Sequence, residues 1–207
     1  MLLKIFELLV VLVIAYLIGS IPTGYLIVKA KTGQDIRNVG SGSTGATNVK
    51  RVLGVKWFFT VMLLDAFKGA LPVILAKLLV TAGAKFGLSP VIASIGVIIG
   101  HSKPLFLNFH GGKSVASGIG TILALNWVAG LTIAFIWGTI TYVSKYVSLG
   151  SIIALTVSPF IMYFLGAPIG YIIYCAIGAV YIIYLHRENI KRLIKGTENK
   201  VRGGGEK

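Results

Sequence analysis

The segment from Val39 to Gly54, VGSGSTGATNVKRVLG, carries a dense set of groups that could bind phosphate. Its glycines at positions 40, 42 and 45 can adopt backbone conformations closed to other residues and bring N–H groups close to an anion. Donor side chains and cations are interleaved with them: Ser41, Ser43, Thr44, Thr47, Asn48, Lys50 and Arg51. The spacing does not match a Walker loop. We interpret the segment as one wall of a phosphate site, with a flexible basic loop as the alternative.

A second polar segment, GHSKPLFLNFHGGKSVAS, ends in a turn suited to the same chemistry. Gly111, Gly112 and Lys113 come directly before an apolar run that should be helical. A Gly-Gly-Lys turn at the start of a helix directs backbone N–H groups and a cation to one point, which favours an anion. This turn is therefore a second candidate phosphate contact.

Two further segments resemble these near the end of the chain. In HRENIKRLIKGTE, His186, Asn189 and Arg192 recur every three residues and so share a helical face, although a basic helix on anionic lipid headgroups would show the same pattern. In YVSLGS, Ser148 and Ser151 stand at an expected helix start, where capping is the ordinary role of serine.

One apolar run contains a pair of opposite charges. Asp65 and Lys68 are three residues apart, so they can pair on a helix. Ionisable groups at membrane depth are costly enough to indicate a role. A structural ion pair and direct contact with a ligand both remain open.

The elements that position these groups are membrane helices. The chain has 207 residues, 56% of them hydrophobic, and a mean hydropathy of +0.86, which is typical of an integral membrane protein. Six apolar runs could span a bilayer: Leu2 to Ile27, Trp57 to Val80, Leu88 to Gly100, Val115 to Val143, Ser151 to Leu165 and Pro168 to Leu185. A net charge of +14 then fits a basic cytoplasmic face better than nucleic-acid binding.

The charges also predict the orientation. Lysine and arginine concentrate in segments 29–56 and 186–207, which should face the cytoplasm. The N-terminus is then outside, the C-terminus is cytoplasmic, and the number of spans is odd. Splitting 115–143 at LNWVAG gives seven spans and places all the polar segments on the cytoplasmic face. The first run continues to a basic stop, so we expect a retained span and not a cleaved signal peptide. We expect one domain over 1–198 and a disordered tail or expression remnant over 199–207.

The motifs GSGSTGATNVKRVLG, LLDAFKG, GHSKPLFLNFHGGKSVAS, YVSLGS and HRENIKRLIKGTE resemble, in order and spacing, those of the bacterial PlsY family, from about Gly19 to Glu198. The resemblance implies an all-α, seven-span inner-membrane enzyme. Such an enzyme moves a fatty acyl group from acyl phosphate to the 1-hydroxyl of glycerol 3-phosphate and needs no metal or cofactor. The resemblance implies these site residues: Ser41, Thr47, Asn48, Arg51, Lys68, His101, Lys113, Ser148, His186, Arg187 and Asn189.

The chain departs from the family pattern at three positions. Ser43 stands where an asparagine is usual, Ser114 where a glycine is common, and His110 where a basic residue is common. For Ser43 and Ser114 we expect altered loop rigidity without loss of activity.

The chemistry needs charge neutralisation and no covalent enzyme intermediate, because an acyl phosphate is already activated. The chain accordingly has no GxSxG elbow, and its single Cys175 lies in an apolar run. The candidates for accepting the glycerol proton are His101, His186 and the substrate's own phosphate, and the resemblance favours the phosphate. We place His186 and Asn189 as orienting groups.

Other functions explain less of the sequence. The His-x4-Asp motif of acyl-CoA-type acyltransferases is absent, since Phe106, Val115 and Lys191 follow the three histidines at that spacing. A membrane transporter for a phosphorylated small molecule would also have many spans. It would, however, place its polar residues near the bilayer midplane in repeated halves. The partners we expect are the two substrates and the lipid bilayer, without nucleic acid.

Overall fold

The computed structural model describes residues 1–80 and 87–201, and these contain helices and no strand. The last residues of the predicted tail, 202–207, lie outside the described part. The helices are α1 Leu2–Gly19, α2 Thr23–Thr32, α3 Ala46–Leu53, α4 Val55–Leu79, α5 Leu88–Ser102, α6 Val115–Leu125, α7 Trp127–Ser144, α8 Val147–Thr156, α9 Ser158–Phe164, α10 Ile169–Leu185 and α11 Arg187–Ile194. Short 3₁₀ turns occur at Ile36–Asn38 and Leu105–Leu107.

The chain forms two compact units. The N-terminal unit is Met1–Leu125 and contains α1 to α6. The C-terminal unit is Asn126–Lys207, and its helices are α7 to α11. Each unit is described separately below.

The first apolar run is a broken helix. α1 ends at Gly19 and α2 begins at Thr23, so Ser20, Ile21 and Pro22 separate them. Proline has no N–H to continue the hydrogen-bond ladder, which accounts for a break at this point. The sequence interpretation treated this run as continuous, so the break is a feature it missed.

The long run from Val115 to Val143 is two helices, as predicted. α6 ends at Leu125 and α7 begins at Trp127. The side chain of Asn126 accepts a hydrogen bond of 3.0 Å from the N–H of Ala129, which is the usual way for asparagine to start a helix. The polar residue in the middle of the run therefore starts a new helix.

Glycines bring the helices of the N-terminal unit close together. A Cβ on Gly19 would lie 2.8 Å from the Cα of Val97, and one on Gly100 would lie 2.9 Å from the N of Ser20. α1 and α5 therefore pack backbone against backbone, as small residues allow in membrane helices.

Glycines also bring α4 and α6 close together. A Cβ on Gly69 would lie 3.0 Å from the Cα of Ser117, and one on Gly120 would lie 3.0 Å from the Cα of Ala66. This close approach sets the part of α4 that carries Asp65 and Lys68 beside the start of α6.

Five helical segments in the described residues are long and apolar enough to cross a membrane: Leu2–Thr32, Val55–Leu79, Leu88–Leu107, Trp127–Ser144 and Val147–Phe164. The pair Ile169–Leu185 and Arg187–Ile194, bent by 63°, would be a sixth, and Val115–Leu125 is a shorter apolar helix. Large apolar side chains such as Phe67 and Phe135 are exposed on the outside. Lipid is the solvent that suits such a surface.

Candidate active site

The glycine loop of the first polar segment leads into α3. Gly40 and Gly42 have φ of 62° and 67°, in the left-handed region that glycine favours, as predicted. Gly45 differs from the prediction, because its φ of −77° and ψ of 164° are ordinary extended values open to any residue. Gly45 is the N-cap residue of α3, where glycine is a common choice.

Asn48 organises this loop from inside. It is 1% exposed, and its Nδ2 lies 2.8 Å from the carbonyl oxygen of Val39 and 3.0 Å from that of Ser43. Its Oδ1 accepts a 3.1 Å hydrogen bond from the N–H of Ser41. The amide thus holds the loop together, a role that the phosphate-binding prediction did not include.

The other predicted members of the first segment are less buried than Asn48. Ser41 and Arg51 are exposed, and Thr47 is half-buried. Thr47 and Arg51 are four residues apart on α3, so they share a helical face. A Cβ on Gly40 would lie 3.3 Å from the Cδ of Arg51, which places the loop against the stem of that side chain.

Asp35 and Arg37 also support this region. Arg37 pairs with Asp35 at 2.6 Å and donates a 3.4 Å hydrogen bond to the carbonyl of Leu107. It thereby connects the first polar segment to the second. Its side-chain hydrogen bond is the main cause that lowers the pKa of Asp35 below the usual value. The sequence interpretation placed neither residue in the site and counted Arg37 only among the basic residues of segment 29–56.

Asp65 and Lys68 form the predicted ion pair, at 2.9 Å and almost fully buried. Lys68 Nζ also donates to the carbonyl of Ile21 at 2.7 Å, and the hydroxyl of Thr23 donates to Asp65 Oδ1. Both charges therefore meet the break between α1 and α2. Of the two roles left open by the sequence, these contacts support the structural one.

The Gly-Gly-Lys turn lies against the end of α5. The N–H of Gly112 donates to the carbonyl of His101 at 3.1 Å, so this amide is already used within the protein. His101 is 6% exposed, and its Nδ1 lies 3.1 Å from the hydroxyl of Ser117. Lys113 is half-buried beside them in the chain.

Ser114 explains one departure from the family pattern. Its φ is 58°, in the left-handed region that favours glycine. It is fully buried, and its hydroxyl donates to the carbonyl of Ile98 at 2.9 Å. The hydrogen bond offsets part of the cost of the backbone conformation.

In the C-terminal unit, predicted site residues converge on a carboxylate. Glu198 Oε1 accepts hydrogen bonds from Ser148 Oγ at 2.9 Å and from Asn189 Nδ2 at 2.6 Å. Arg192 Nε donates to Oε2 at 2.7 Å. Of the three residues predicted to share a helical face, His186, Asn189 and Arg192, the last two contact Glu198, which also joins them to Ser148.

Burial raises the pKa of Glu198, but the hydrogen bonds from Asn189, Arg192 and Ser148 outweigh it, so the pKa lies below the usual value. Sequence reasoning missed this residue. Its only signal was its place at the end of the motif HRENIKRLIKGTE.

The capping alternative for the serines of YVSLGS is wrong. The N-cap of α8 is Tyr146, and no side-chain hydrogen bond is made there. Ser151 donates to the carbonyl of Val147 at 2.8 Å and accepts a 3.2 Å hydrogen bond from the indole N–H of Trp137.

His186 and Arg187 stand at the junction of α10 and α11. Nδ1 of His186 lies 2.8 Å from the carbonyl oxygen of Ile182. Because a carbonyl only accepts, Nδ1 carries the proton in this contact. Arg187 is exposed, donates to the carbonyl of Tyr184 at 3.2 Å, and lies over that tyrosine's ring.

Comparison with known proteins identifies the family. The sequence profile described as "Glycerol-3-phosphate acyltransferase" matches residues 9–196. The chain belongs to the glycerol-3-phosphate acyltransferase family. A curated glycerol-3-phosphate acyltransferase from Nostoc sp. (strain PCC 7120 / SAG 25.82 / UTEX 2576) is 44% identical over 204 residues, which cover 92% of this chain and 90% of the relative.

Two crystal structures of PlsY (YgiH), an integral membrane glycerol 3-phosphate acyltransferase, share the fold. Its glycerol 3-phosphate form is 37% identical with a TM-score of 0.88, covering 95% of this chain and 96% of that one. Its lysophosphatidic acid form is 34% identical with a TM-score of 0.85 and the same coverage, 95% and 96%.

These findings confirm the family resemblance. This member of the glycerol-3-phosphate acyltransferase family is an all-helical integral membrane protein and an acyltransferase of phospholipid synthesis. No group of three or more histidine, cysteine, aspartate or glutamate side chains that could hold a metal occurs in the described residues.

Proposed function

We propose that the chain transfers a fatty acyl group from acyl phosphate to the 1-hydroxyl of glycerol 3-phosphate, giving lysophosphatidic acid and inorganic phosphate. The observation that carries the proposal is the family match over residues 9–196. Acyl phosphate as the donor is implied by the motif resemblance, and an activated anhydride suits a site without a covalent nucleophile.

The membrane arrangement is part of the proposal. Counting Ile169–Leu185 and the short helix Val115–Leu125 with the five long segments gives seven spans. The N-terminus is outside and the C-terminus is cytoplasmic in a bacterial inner membrane, because the basic segments favour the inside. Residues 1–198 act as one domain and 199–207 as a tail.

Phosphate binding in the N-terminal unit depends on a few exposed or half-buried groups. Ser41 and Thr47 donate hydrogen bonds, and Arg51 and Lys113 neutralise charge. Asn48 and Lys68, which the resemblance assigns to the site, support it from within, since their polar groups are bonded to Val39, Ser43, Ile21 and Asp65. The charge of the two phosphate-bearing substrates is the main obstacle that these cations remove.

The C-terminal unit supplies the orienting groups. His186, Asn189 and Ser148 orient the glycerol part, and Arg187 adds positive charge at the exposed end of α11. The hydroxyl of Ser148 donates to Glu198, so its oxygen lone pairs can accept from a substrate hydroxyl.

In the reaction, the glycerol oxygen forms a bond to the acyl carbon, and the bond from that carbon to the phosphate oxygen breaks. The hydroxyl proton ends on the departing phosphate, which is the base we favour among the candidates. Positioning the two substrates together accounts for on the order of 7–11 kcal/mol of barrier reduction.

The test uses purified protein in detergent with palmitoyl phosphate and glycerol 3-phosphate and without added metal. Phosphate release and lysophosphatidic acid should appear in equal amounts and require both substrates. Lys113→Ala should lower turnover by about 100-fold or more, as for the loss of a group that stabilises developing charge. Lys103→Ala is the matched control, because that exposed lysine lies near the same turn without a proposed role.

No product from folded protein would contradict the proposal. Uptake of glycerol 3-phosphate into proteoliposomes without acyl transfer would then support the transporter alternative.

A further inference from the structure

The imidazole of His101 occupies the space that a side chain at position 112 would need, and the backbone of His101 limits the space at position 111. A Cβ on Gly112 would collide with Nε2 of His101 and would lie 2.9 Å from its Cδ2. A Cβ on Gly111 would collide with the carbonyl oxygen of His101 and with the ring of Pro104. The two glycines thus allow the turn to close over the histidine.

Hydrogen bonds fix the backbone on both sides of Lys113. Before it, the N–H of Gly112 donates to His101 at 3.1 Å. After it, the hydroxyl of Ser114 donates to Ile98 at 2.9 Å. Both neighbours of Lys113 are therefore hydrogen-bonded to the last turn of α5.

The other edge of the ring faces polar groups. Nδ1 lies 3.1 Å from Ser117 Oγ and 3.7 Å from Asp65 Oδ1. Lys68 Nζ lies 2.9 Å from the same oxygen of Asp65. Ser117 and Asp65 thereby set the orientation of the imidazole.

We infer that His101 is a positioning residue that fixes the Gly-Gly-Lys turn and so places Lys113, and that it is not the base for the glycerol hydroxyl. The inference rests on the proposed function for the role of Lys113. A base must come within hydrogen-bond reach of the proton it removes. The backbone of Gly112 covers Nε2, and Ser117 and Asp65 face Nδ1, so neither nitrogen is presented to a substrate.

A double-mutant cycle tests the contact. His101→Asn keeps a polar atom near Ser117 and removes the Nε2 edge, which opens room at position 112. Gly112→Ala should therefore lower kcat/KM strongly in the parent protein and much less in the His101→Asn background. We expect a coupling of about 5-fold or more, the size typical of residues in contact.

Gly118→Ala is the matched control, because its Cβ would have ordinary contact, 3.5 Å from Ile98 Cδ1. The factors by which Gly118→Ala and His101→Asn lower kcat/KM should multiply in the double variant, which means that the two positions are not coupled. The inference would be overturned if the factors for Gly112→Ala and His101→Asn also multiplied.

The pH profile of kcat separates positioning from base catalysis. With Asp65 and Lys68 unchanged, His101→Asn should lower the rate by a similar factor across pH 6–9 and leave the shape of the profile unchanged. Loss of an ionisation from the profile would overturn the inference.

The double-mutant cycle of His101→Asn and Gly112→Ala is also measured in thermal unfolding midpoints, which do not depend on the reaction. If the two substitutions are coupled in the unfolding midpoint but the parent protein shows no turnover, only the proposed function has failed. If their effects are additive in both the unfolding midpoint and kcat/KM, the inference is overturned.

Discussion

Replacing Glu198 with glutamine should destabilise the C-terminal unit by about 2 kcal/mol, the middle of the range for leaving a buried donor unsatisfied. The carboxylate accepts from Ser148 and Asn189 at one oxygen and from Arg192 at the other. An amide has one oxygen and one NH₂ group, so in either orientation NH₂ faces a donor. Arg192 is 37% exposed, which allows water to take over part of its bonding.

The assay is thermal unfolding of the detergent-purified protein beside kcat/KM for both substrates. A loss of about 2 kcal/mol corresponds to a midpoint lower by about 4–8 °C for a chain of this size. Glu188→Gln is the matched control, since Glu188 is an exposed carboxylate near the start of α11, 3.1 Å from Lys191. Its unfolding midpoint should not change measurably.

Acid should abolish the difference between the parent protein and Glu198→Gln. The pKa of Glu198 is lowered from the usual 4.5 in the folded protein. The contribution of Glu198 to stability is therefore fully present above its pKa in the unfolded chain, and it is lost as pH falls through its pKa in the folded protein. The midpoint difference should be constant from pH 8 to about pH 5.5 and shrink below about pH 4.5. Equal midpoints at neutral pH, or a difference that persists in acid, would refute the reasoning.

Substitutions at Ser114, Asp65 and Asn48 test the N-terminal unit by thermal unfolding. Ser114→Ala should cost about 1 kcal/mol because it loses a hydroxyl bond, whereas Ser114→Gly should be near neutral because it also relieves the left-handed backbone. Asp65→Asn should cost about 3–5 kcal/mol by leaving a buried ammonium unpaired, and adding Lys68→Met should recover most of it. Asn48→Ala should cost about 1–3 kcal/mol by leaving loop groups unsatisfied, and it should raise KM for glycerol 3-phosphate. A stable Asp65→Asn, or an unchanged KM in Asn48→Ala, would contradict the roles given to these residues.

The apolar pattern was sufficient to predict most of the helices. The runs beginning near Trp57, Leu88 and Pro168 correspond to α4, α5 and α10. The segment LNWVAG correctly marked the boundary between two helices in a long apolar run, and Asn126 within it is the N-cap of α7. The break at Ser20–Pro22 was missed because both sides of it are apolar, and α3 was missed because its eight residues lie in a polar segment. Hydropathy does not register either feature.

The hydrogen-bond donors of the site could be predicted from the sequence, but the partners of each donor could not. The sequence shows that Ser41, Asn48 and Arg51 carry polar groups close together in the chain. Only the folded loop shows that the Asn48 amide is hydrogen-bonded to backbone groups, whereas Ser41 and Arg51 are exposed. Which hydrogen bonds are made inside a loop depends on its backbone path, and that path is set by tertiary contacts.

The Asp65–Lys68 pair illustrates why a charge inside an apolar helix need not touch a substrate. Lys68 donates to a carbonyl just after the C-terminal end of α1, and Asp65 accepts from Thr23 at the first turn of α2. Each charge therefore has the sign that complements the helix end it meets. In a lipid environment such a break leaves backbone groups that water cannot satisfy, so partners from a neighbouring helix are needed. α2 then carries Val28 into the buried cluster that contains Val49 of α3. The ion pair thus acts on the glycine loop at a distance, by fixing the helix that leads to it.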